Sequence, residues 1–285
     1  MAHHANNPLL YLWEQRTLFI GQQESPLVLS TGAGTLMYGL DGPISFKTKT
    51  MQHSIECNSL LLPAGTSVII DIQGATIANC TLDPAGADFA TLSALMQHRA
   101  GIALYQIQDE PAHIKTFLNT YHSPLDISEI RKTISKILRL DRVNGMAIEN
   151  TNHDIDPRIS DIIHLIQITA CENLSLSYLA DRVYMSPSRL IQLFKQQTGL
   201  PIRRYRLWCR LYLTVLGIGQ GKSLTVAAVE AGFNDSPHFN HTFRSMLGMT
   251  PSFILSQVNQ LQIILPENNR AEAVALISNK IKRCG

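Results

Sequence analysis

Residues 186–201, SPSRLIQLFKQQTGLP, and residues 235–251, DSPHFNHTFRSMLGMTP, are two copies of one pattern. Leu190 and Phe239, Phe194 and Phe243, Lys195 and Arg244, and Gly199 and Gly248 each stand 49 residues apart. A segment repeated at a fixed interval is one supersecondary unit used twice, and that restricts this region to a tandem architecture. Each copy follows a short apolar stretch containing small residues, SLSYLADRVY with Ala180 and SLTVAAVEAGF with Ala227, Ala228 and Gly232. Small side chains let two helices cross closely at a tight turn, the geometry of a helix-turn-helix.

At 100° per residue the second helix of the first copy divides into two faces. Leu190, Leu193 and Phe194 fall on an apolar side; Ser188, Arg189, Gln192, Lys195 and Gln196 fall on a polar, cationic one. The second copy repeats this, with Phe239, Phe243 and Met246 inward, His238, His241, Arg244 and Ser245 outward, and Asn240 at the margin. Amides, guanidinium and imidazole on one exposed face can hydrogen-bond base edges in a major groove, while neighbouring cations hold phosphates. Between the copies, Pro201 to about Ile218 reads as one helix, roughly 27 Å long. It would act as a ruler between two recognition helices set near one turn of DNA, about 34 Å, apart. Arg203, Arg206 and Arg210 make an expected outward stripe on it, with Leu207, Trp208, Leu211, Tyr212, Val215 and Leu216 as packing residues.

Helix signals run from Pro157 to about Leu261. Asp156-Pro157, Ser175, Ser186-Pro187, Leu200-Pro201, Ser223, Asp235 and Thr250-Pro251 supply seven starts, and Gly199 and Gly248 supply stops. Charge agrees with a split chain. The 285 residues carry a net charge of +2, with 10 Lys and Arg against 15 Asp and Glu before Pro157, and 14 against 7 from there on. The halves are therefore −5 and +7, an asymmetry that points the basic half toward a nucleic acid or another polyanion.

The acidic half reads differently. Residues 17–82 alternate short apolar runs with Gly, Pro and Asp-Gly turns about every ten residues, the pattern of a sandwich or small barrel. From Asp88, DFATLSALMQHRA and LDISEIRKTISKILRL have helical spacing, the second with Ile127, Ile130, Ile134, Ile137 and Leu138 on one stripe. Such a stripe packs on the β domain or meets its copy in a dimer. Residues 141–156 are polar and aperiodic and mark the boundary. Five separated cysteines without a CxxC pair predict reduced thiols rather than disulfides or a zinc site. With no signal pattern and no apolar run of membrane-spanning length, a cytoplasmic protein with no membrane association is expected.

The segment AAVEAGFNDSPHFNHTFRSMLGMTPS, together with LADRVYMSPSRLIQLFKQQTGLP and Arg210-Leu211, resembles the AraC/XylS family of transcriptional regulators. It follows that family's Ala-x3-Gly-Phe, Phe-x3-Phe-Lys/Arg and Gly-x-Thr-Pro-Ser pattern over about residues 157–258. It departs at Pro237-His238, where the family usually has Ser-Tyr, and at Ala227, where it usually has Ile. The resemblance implies that residues 188, 191 and 192, and 236, 237, 240 and 241, face DNA, so Ile191, Ser236 and Pro237 join the candidate contacts. It also implies promoter DNA and RNA polymerase as partners, with a small-molecule effector and a homodimer to be expected. LLLPAGTSVIIDIQG resembles the Pro-x-Gly and strand segment of the family's cupin-like domain. Ser67-Val68 stand where a metal-binding cupin would place histidine, His53 lacks partners at ligand spacing, and His238 with His241 reads as surface, so no metal and no cofactor is expected.

The expected fold is α+β in two domains. A cupin-like β barrel with flanking helices occupies residues 1–145, with strands around Leu29, Met37, Phe46 and Ile70 lining a sensing pocket; a linker covers 146–156. An all-α tandem helix-turn-helix of seven helices fills 157–262, and 263–285 form a C-terminal extension. The expected function is a sequence-specific transcription regulator, an activator, that responds to an effector and performs no catalysis. A constitutive or partner-controlled regulator, and a cupin enzyme fused to a DNA-binding module, are the competing readings.

Overall fold

A computed structural model describes residues 7–13, 16–23, 25–83, 88–137, 155–247 and 261–265. Leu138, most of the expected linker, the Gly248 stop, the Thr250-Pro251 helix start and the extension after residue 265 lie outside these residues. The chain divides into two compact units, residues 1–149 with 243–264 and residues 150–242 with 265–285.

The first unit is built on two sheets. Strands β1 (Leu9–Trp13), β2 (Arg16–Gly21), β4 (Thr35–Gly39), β7 (Ser59–Leu62), β9 (Ile77–Thr81), β10 (Met96–Ala100), β11 (Ala103–Ile107) and β12 (Gln262–Ile264) form the larger, in the order β10-β11-β7-β4-β9-β2-β1-β12. Strands β3 (Leu27–Ser30), β5 (Ile44–Thr48), β6 (Ile55–Cys57) and β8 (Ser67–Asp71) form the smaller, in the order β3-β8-β5-β6. Every pair is antiparallel except β1 with β12, where Leu9, Leu10 and Tyr11 register with Gln262, Ile263 and Ile264. Helices α1 (Asp88–Ser93), α2 (Glu110–His122) and α3 (Ile127–Ile137) contribute to one apolar cluster with the larger sheet.

Strand alternation assigns the faces. Tyr11, Leu18, Ile20, Leu36, Tyr38, Ala78 and Cys80 join Phe117, Tyr121, Ile130, Ile134 and Ile137 in that cluster. The isoleucine stripe of α3 is thus spent on its own domain, the first of its two expected uses. The alternate residues Phe19, Met37, Asn79 and Tyr105 lie on the opposite face, and the Tyr105 ring stands 5.8 Å from Phe46 of the smaller sheet.

Four elements correct the sequence reading, one of them β12, a strand paired with β1 where the end of the all-α module and the extension were expected. The helical pattern from Asp88 ends at Ser93, and Met96–Ala100 is a strand. Gln97, His98 and Arg99 offer no apolar partner at helical spacing, whereas the hairpin with β11, closed through Gly101 at φ +61°, satisfies their backbone. Strand β1 precedes the expected first strand, and α2 follows Asp109 with Pro111 in its first turn. Helix α2 is fastened to the sheet by polar groups: the Ser59 hydroxyl donates to the Glu110 carboxylate and accepts from Ile107 N at 2.9 Å, and Tyr38 Oη meets His113 Nδ1 at 3.0 Å.

Asp88 at the start of α1 is 2% exposed and takes two bonds from Arg16, Nε to Oδ2 at 2.7 Å and Nη2 to Oδ1 at 3.1 Å. Burial pulls the Arg16 pKa down, but the bond to Asp88 and its charge outweigh this and hold it above the ordinary value. Arg16→Met removes a buried carboxylate's bidentate partner and is expected to cost about 3–5 kcal/mol, read from urea unfolding of the first unit. A change near zero would show that the pair is not closed in solution.

Candidate nucleic-acid interface

The second unit holds α4 (Pro157–Ile168), α5 (Leu176–Arg182), α6 (Pro187–Thr198), α7 (Ile202–Gly219), α8 (Leu224–Glu230) and the start of α9 (Ser236–Leu247). Six of the seven expected helices are therefore among the described residues. Their starts use short polar side chains that accept backbone N–H groups. Asp156 accepts from Arg158, Ser175 from Tyr178, Ser186 from Arg189, Ser223 from Val226 and Asp235 from His238. Gly199 closes α6 in the left-handed conformation, its N–H bonded to Lys195 O.

Both repeat helices show the faces expected of them. Leu190, Leu193, Phe194, Phe239, Phe243 and Met246 are buried. On α6, Ser188, Arg189, Ile191, Gln192, Lys195 and Gln196 are all exposed; on α9, Pro237, Asn240, His241 and Arg244 are exposed. Ser236 opens α9. His238 and Ser245 depart from the expectation: both are half-buried, the His238 ring 5.8 Å from Phe233.

The long helix α7 also departs from it. Its 18 residues give roughly 27 Å, as periodicity predicts, and Trp208 is packed at 1% exposure. The arginine stripe, however, is graded in depth. Arg203 is exposed, Arg206 is half-buried with Nη2 on Leu174 O at 3.0 Å, and Arg210 is buried. Arg210 Nε donates to Ala170 O at 2.7 Å, and Nη2 to Glu172 O at 3.3 Å and Asn173 Oδ1 at 2.8 Å. Desolvation, and next the charge of Arg206, pull its pKa below the ordinary value, yet a guanidinium stays charged. Arg210 is a bracket for the loop after α4 and not an outward cation. Helical spacing aligned it with Arg203 but carried no information about the loop lying opposite.

Ile191, Arg203, Arg206, Arg210, Asn234 and His238 are among the residues around a cleft of about 510 Å³, and none of the described residues lining it is a carboxylate. The cleft thus joins side chains of α6, α7 and α9 in a positively charged setting. An anion can be held there by Arg203 and by the donors of Arg206 that the protein leaves over. Sequence reasoning did not place His238, Asn234 and Arg206 together, because their juxtaposition depends on how α7 sets the two copies.

Two short-helix and capped-helix pairs joined by one long helix, each presenting a polar, cationic face, define a tandem helix-turn-helix module of the DNA-binding class. The sequence profile of the helix-turn-helix domain family matches residues 179–257. The transcriptional activator RhrA of Rhizobium meliloti is 37% identical over 83 residues, 28% of this chain and 26% of that protein. The bifunctional transcriptional activator/DNA repair enzyme Ada of Escherichia coli is 33% identical over 94 residues, 33% of this chain and 27% of Ada. The arabinose operon regulatory protein of Escherichia coli is 28% identical over 117 residues, 40% of this chain and 38% of that protein. The likeness to these regulators is confined to the C-terminal segment, and the chain aligns with less than two-fifths of the length of each of these relatives. In fold, the chain is similar to ToxT from Vibrio cholerae at a TM-score of 0.54 and 12% identity, over 86% of this chain and 99% of ToxT. A second ToxT structure, bound to (E)-4-(8-methylnaphthalen-1-yl)but-3-enoic acid, gives 0.52 and 14% over 89% and 99%.

Proposed function

We propose that this chain is a sequence-specific transcription regulator that reads promoter DNA through the exposed faces of α6 and α9. The observation that carries it is the pair of capped helices whose outward residues, Gln192 with Arg189 and Lys195, and His241 with Asn240 and Arg244, are exposed and of the chemistry that meets base edges and phosphates. Ser188, Ile191, Gln196, Ser236, Pro237 and His238 complete the contact set, Ile191 and Pro237 toward thymine methyls. Arg203 and Arg206 hold the backbone that passes the cleft between the two helices. The DNA-binding domain covers 157–262, after a sensing domain over 1–145.

The sensing domain takes a small effector between its sheets, and the regulator activates transcription with RNA polymerase in the cytoplasm, as a homodimer where sites are paired. Asn79 supports an effector with one hydrogen-bond donor on an apolar body. Its Oδ1 is buried and has no hydrogen-bond partner among the described residues, on the face shared with Phe19 and Met37. ToxT, with its small organic acid, offers an analogy in fold. The reading requires no catalytic step.

Selection of binding sites from random duplexes, using the full chain, tests the DNA reading. Gln192→Ala and His241→Ala are expected to flatten the preference at one or two base positions each, about 1–3 kcal/mol of discrimination. Arg203→Ala is expected to weaken every sequence alike and to lower the salt slope by about one. Affinity that does not fall with salt, or an enriched pool without a motif, would count against the proposal.

A further inference from the structure

The two helix-turn-helix copies share one pattern of turn hydrogen bonds. Helices α5 and α8 are both seven residues long and stand 48 residues apart. Tyr184 N–H donates to Asp181 O as Gly232 N–H donates to Val229 O, and Met185 N–H donates to Ala180 O as Phe233 N–H donates to Ala228 O. This hydrogen-bonded turn demands a left-handed residue at its corner. The second copy supplies Gly232 at φ +94°; the first supplies Tyr184 at φ +54°. A left-handed backbone is unfavourable for a residue with a bulky β-substituent, and such an outlier persists where something compensates it.

Tyr184 is 97% exposed, so beyond the turn's own backbone hydrogen bonds no packing of its side chain against the described residues compensates it. The neighbouring positions differ between copies in the same sense. Tyr178 and Arg182 are exposed on α5, with the guanidinium 5.7 Å from the ring centroid, where α8 has Val226 and Glu230, the latter paired to Lys222. The first copy therefore carries an aromatic and cationic patch that the second lacks, although Asp181 is exposed between them. The patch is continuous with the candidate interface: Ser186, the cap of α6, is two residues beyond Tyr184. In helix-turn-helix docking the first helix crosses the sugar-phosphate backbone while the start of the second reaches the bases.

We propose that Tyr184, with Arg182 beside it, contacts the sugar-phosphate backbone of duplex DNA at the turn before α6. The tyrosine hydroxyl donates to a phosphate oxygen and its ring covers the adjoining sugar, neither of which distinguishes sequence. At this corner the first copy makes a backbone contact that the second copy, with glycine there, lacks. The inference rests on the DNA-binding reading.

The test uses the full chain with Tyr184→Gly, Tyr184→Phe and Arg182→Gln, on the selected operator and on unrelated duplex. Tyr184→Gly is expected to raise the unfolding midpoint of the C-terminal unit by about 2–5 °C. The same variant is expected to bind operator and unrelated DNA about tenfold more weakly, with their ratio unchanged. Tyr184→Phe should fall between glycine and the native residue, and Arg182→Gln should lower the salt slope by about one. If Tyr184→Gly binds as the native chain does, or loses only operator binding, or is less stable, the inference fails while the DNA reading stands. If the native chain binds no duplex in a salt-dependent way, both fail.

Discussion

Gly232→Ala is expected to destabilise the C-terminal unit by about 2–5 kcal/mol, the sum of a left-handed penalty and overpacking against atoms that cannot yield. Gly232 stands at φ +94°, and a β-carbon there would lie 2.6 Å from Cys171 O, 2.8 Å from Cys171 Cα and 3.0 Å from Cys171 C. All three are backbone of the segment after α4, so no rotamer change relieves the clash. Gly221 is the natural control. It has a similar φ of +88°, but nothing within 4 Å of the added carbon, so Gly221→Ala should cost only the conformational part, about 1–2 kcal/mol. Equal urea midpoints for the two variants would show that the α8–α9 turn is not seated on Cys171. Operator affinity of Gly232→Ala should fall as well, since this turn leads into α9, whose face is proposed to meet DNA.

The second large effect concerns Arg210. Arg210→Met keeps most of the apolar stem but strips donors from Ala170 O, Glu172 O and Asn173 Oδ1, and about 3–5 kcal/mol of stability is expected to go with them. Lysine should rescue little, since one ammonium cannot reproduce the planar fork across three acceptors. Arg203→Ala provides the contrast: this side chain is exposed, so the variant should unfold with the native chain and show its defect only in DNA binding. If Arg210→Met melted with the native chain and instead lowered the salt slope, the guanidinium would be facing DNA and the buried placement would be wrong.

The arginines show where sequence reasoning stops. Helical spacing puts residues 203, 206 and 210 on one stripe, and that is correct as geometry of α7 alone. The stripe runs from solvent to the loop at 170–174, and spacing along one helix holds no information about a loop some 35 residues away. The strand at Met96–Ala100 escaped for a similar reason. Its ladder partner is β11, and the gain from pairing depends on a sheet that β7 and β4 have already built. Strand β12 is the extreme case: three residues after the helical module add in parallel to β1, near the other end of the chain.

What could be read directly was local or repeated. Caps at Asp156, Ser175, Ser186, Ser223 and Asp235 act within three residues of themselves, so their chemistry is written in adjacent letters. The inward and outward faces of α6 and α9 follow from the 3.6-residue period, and the tandem copy made the assignment twice over. Depth of burial along α7, the seat of Gly232 on Cys171, and the cleft that unites Arg206 with His238 come instead from long-range packing. Such contacts exist once several elements have chosen one arrangement together, because dense interiors admit few alternatives and no single segment encodes its neighbour.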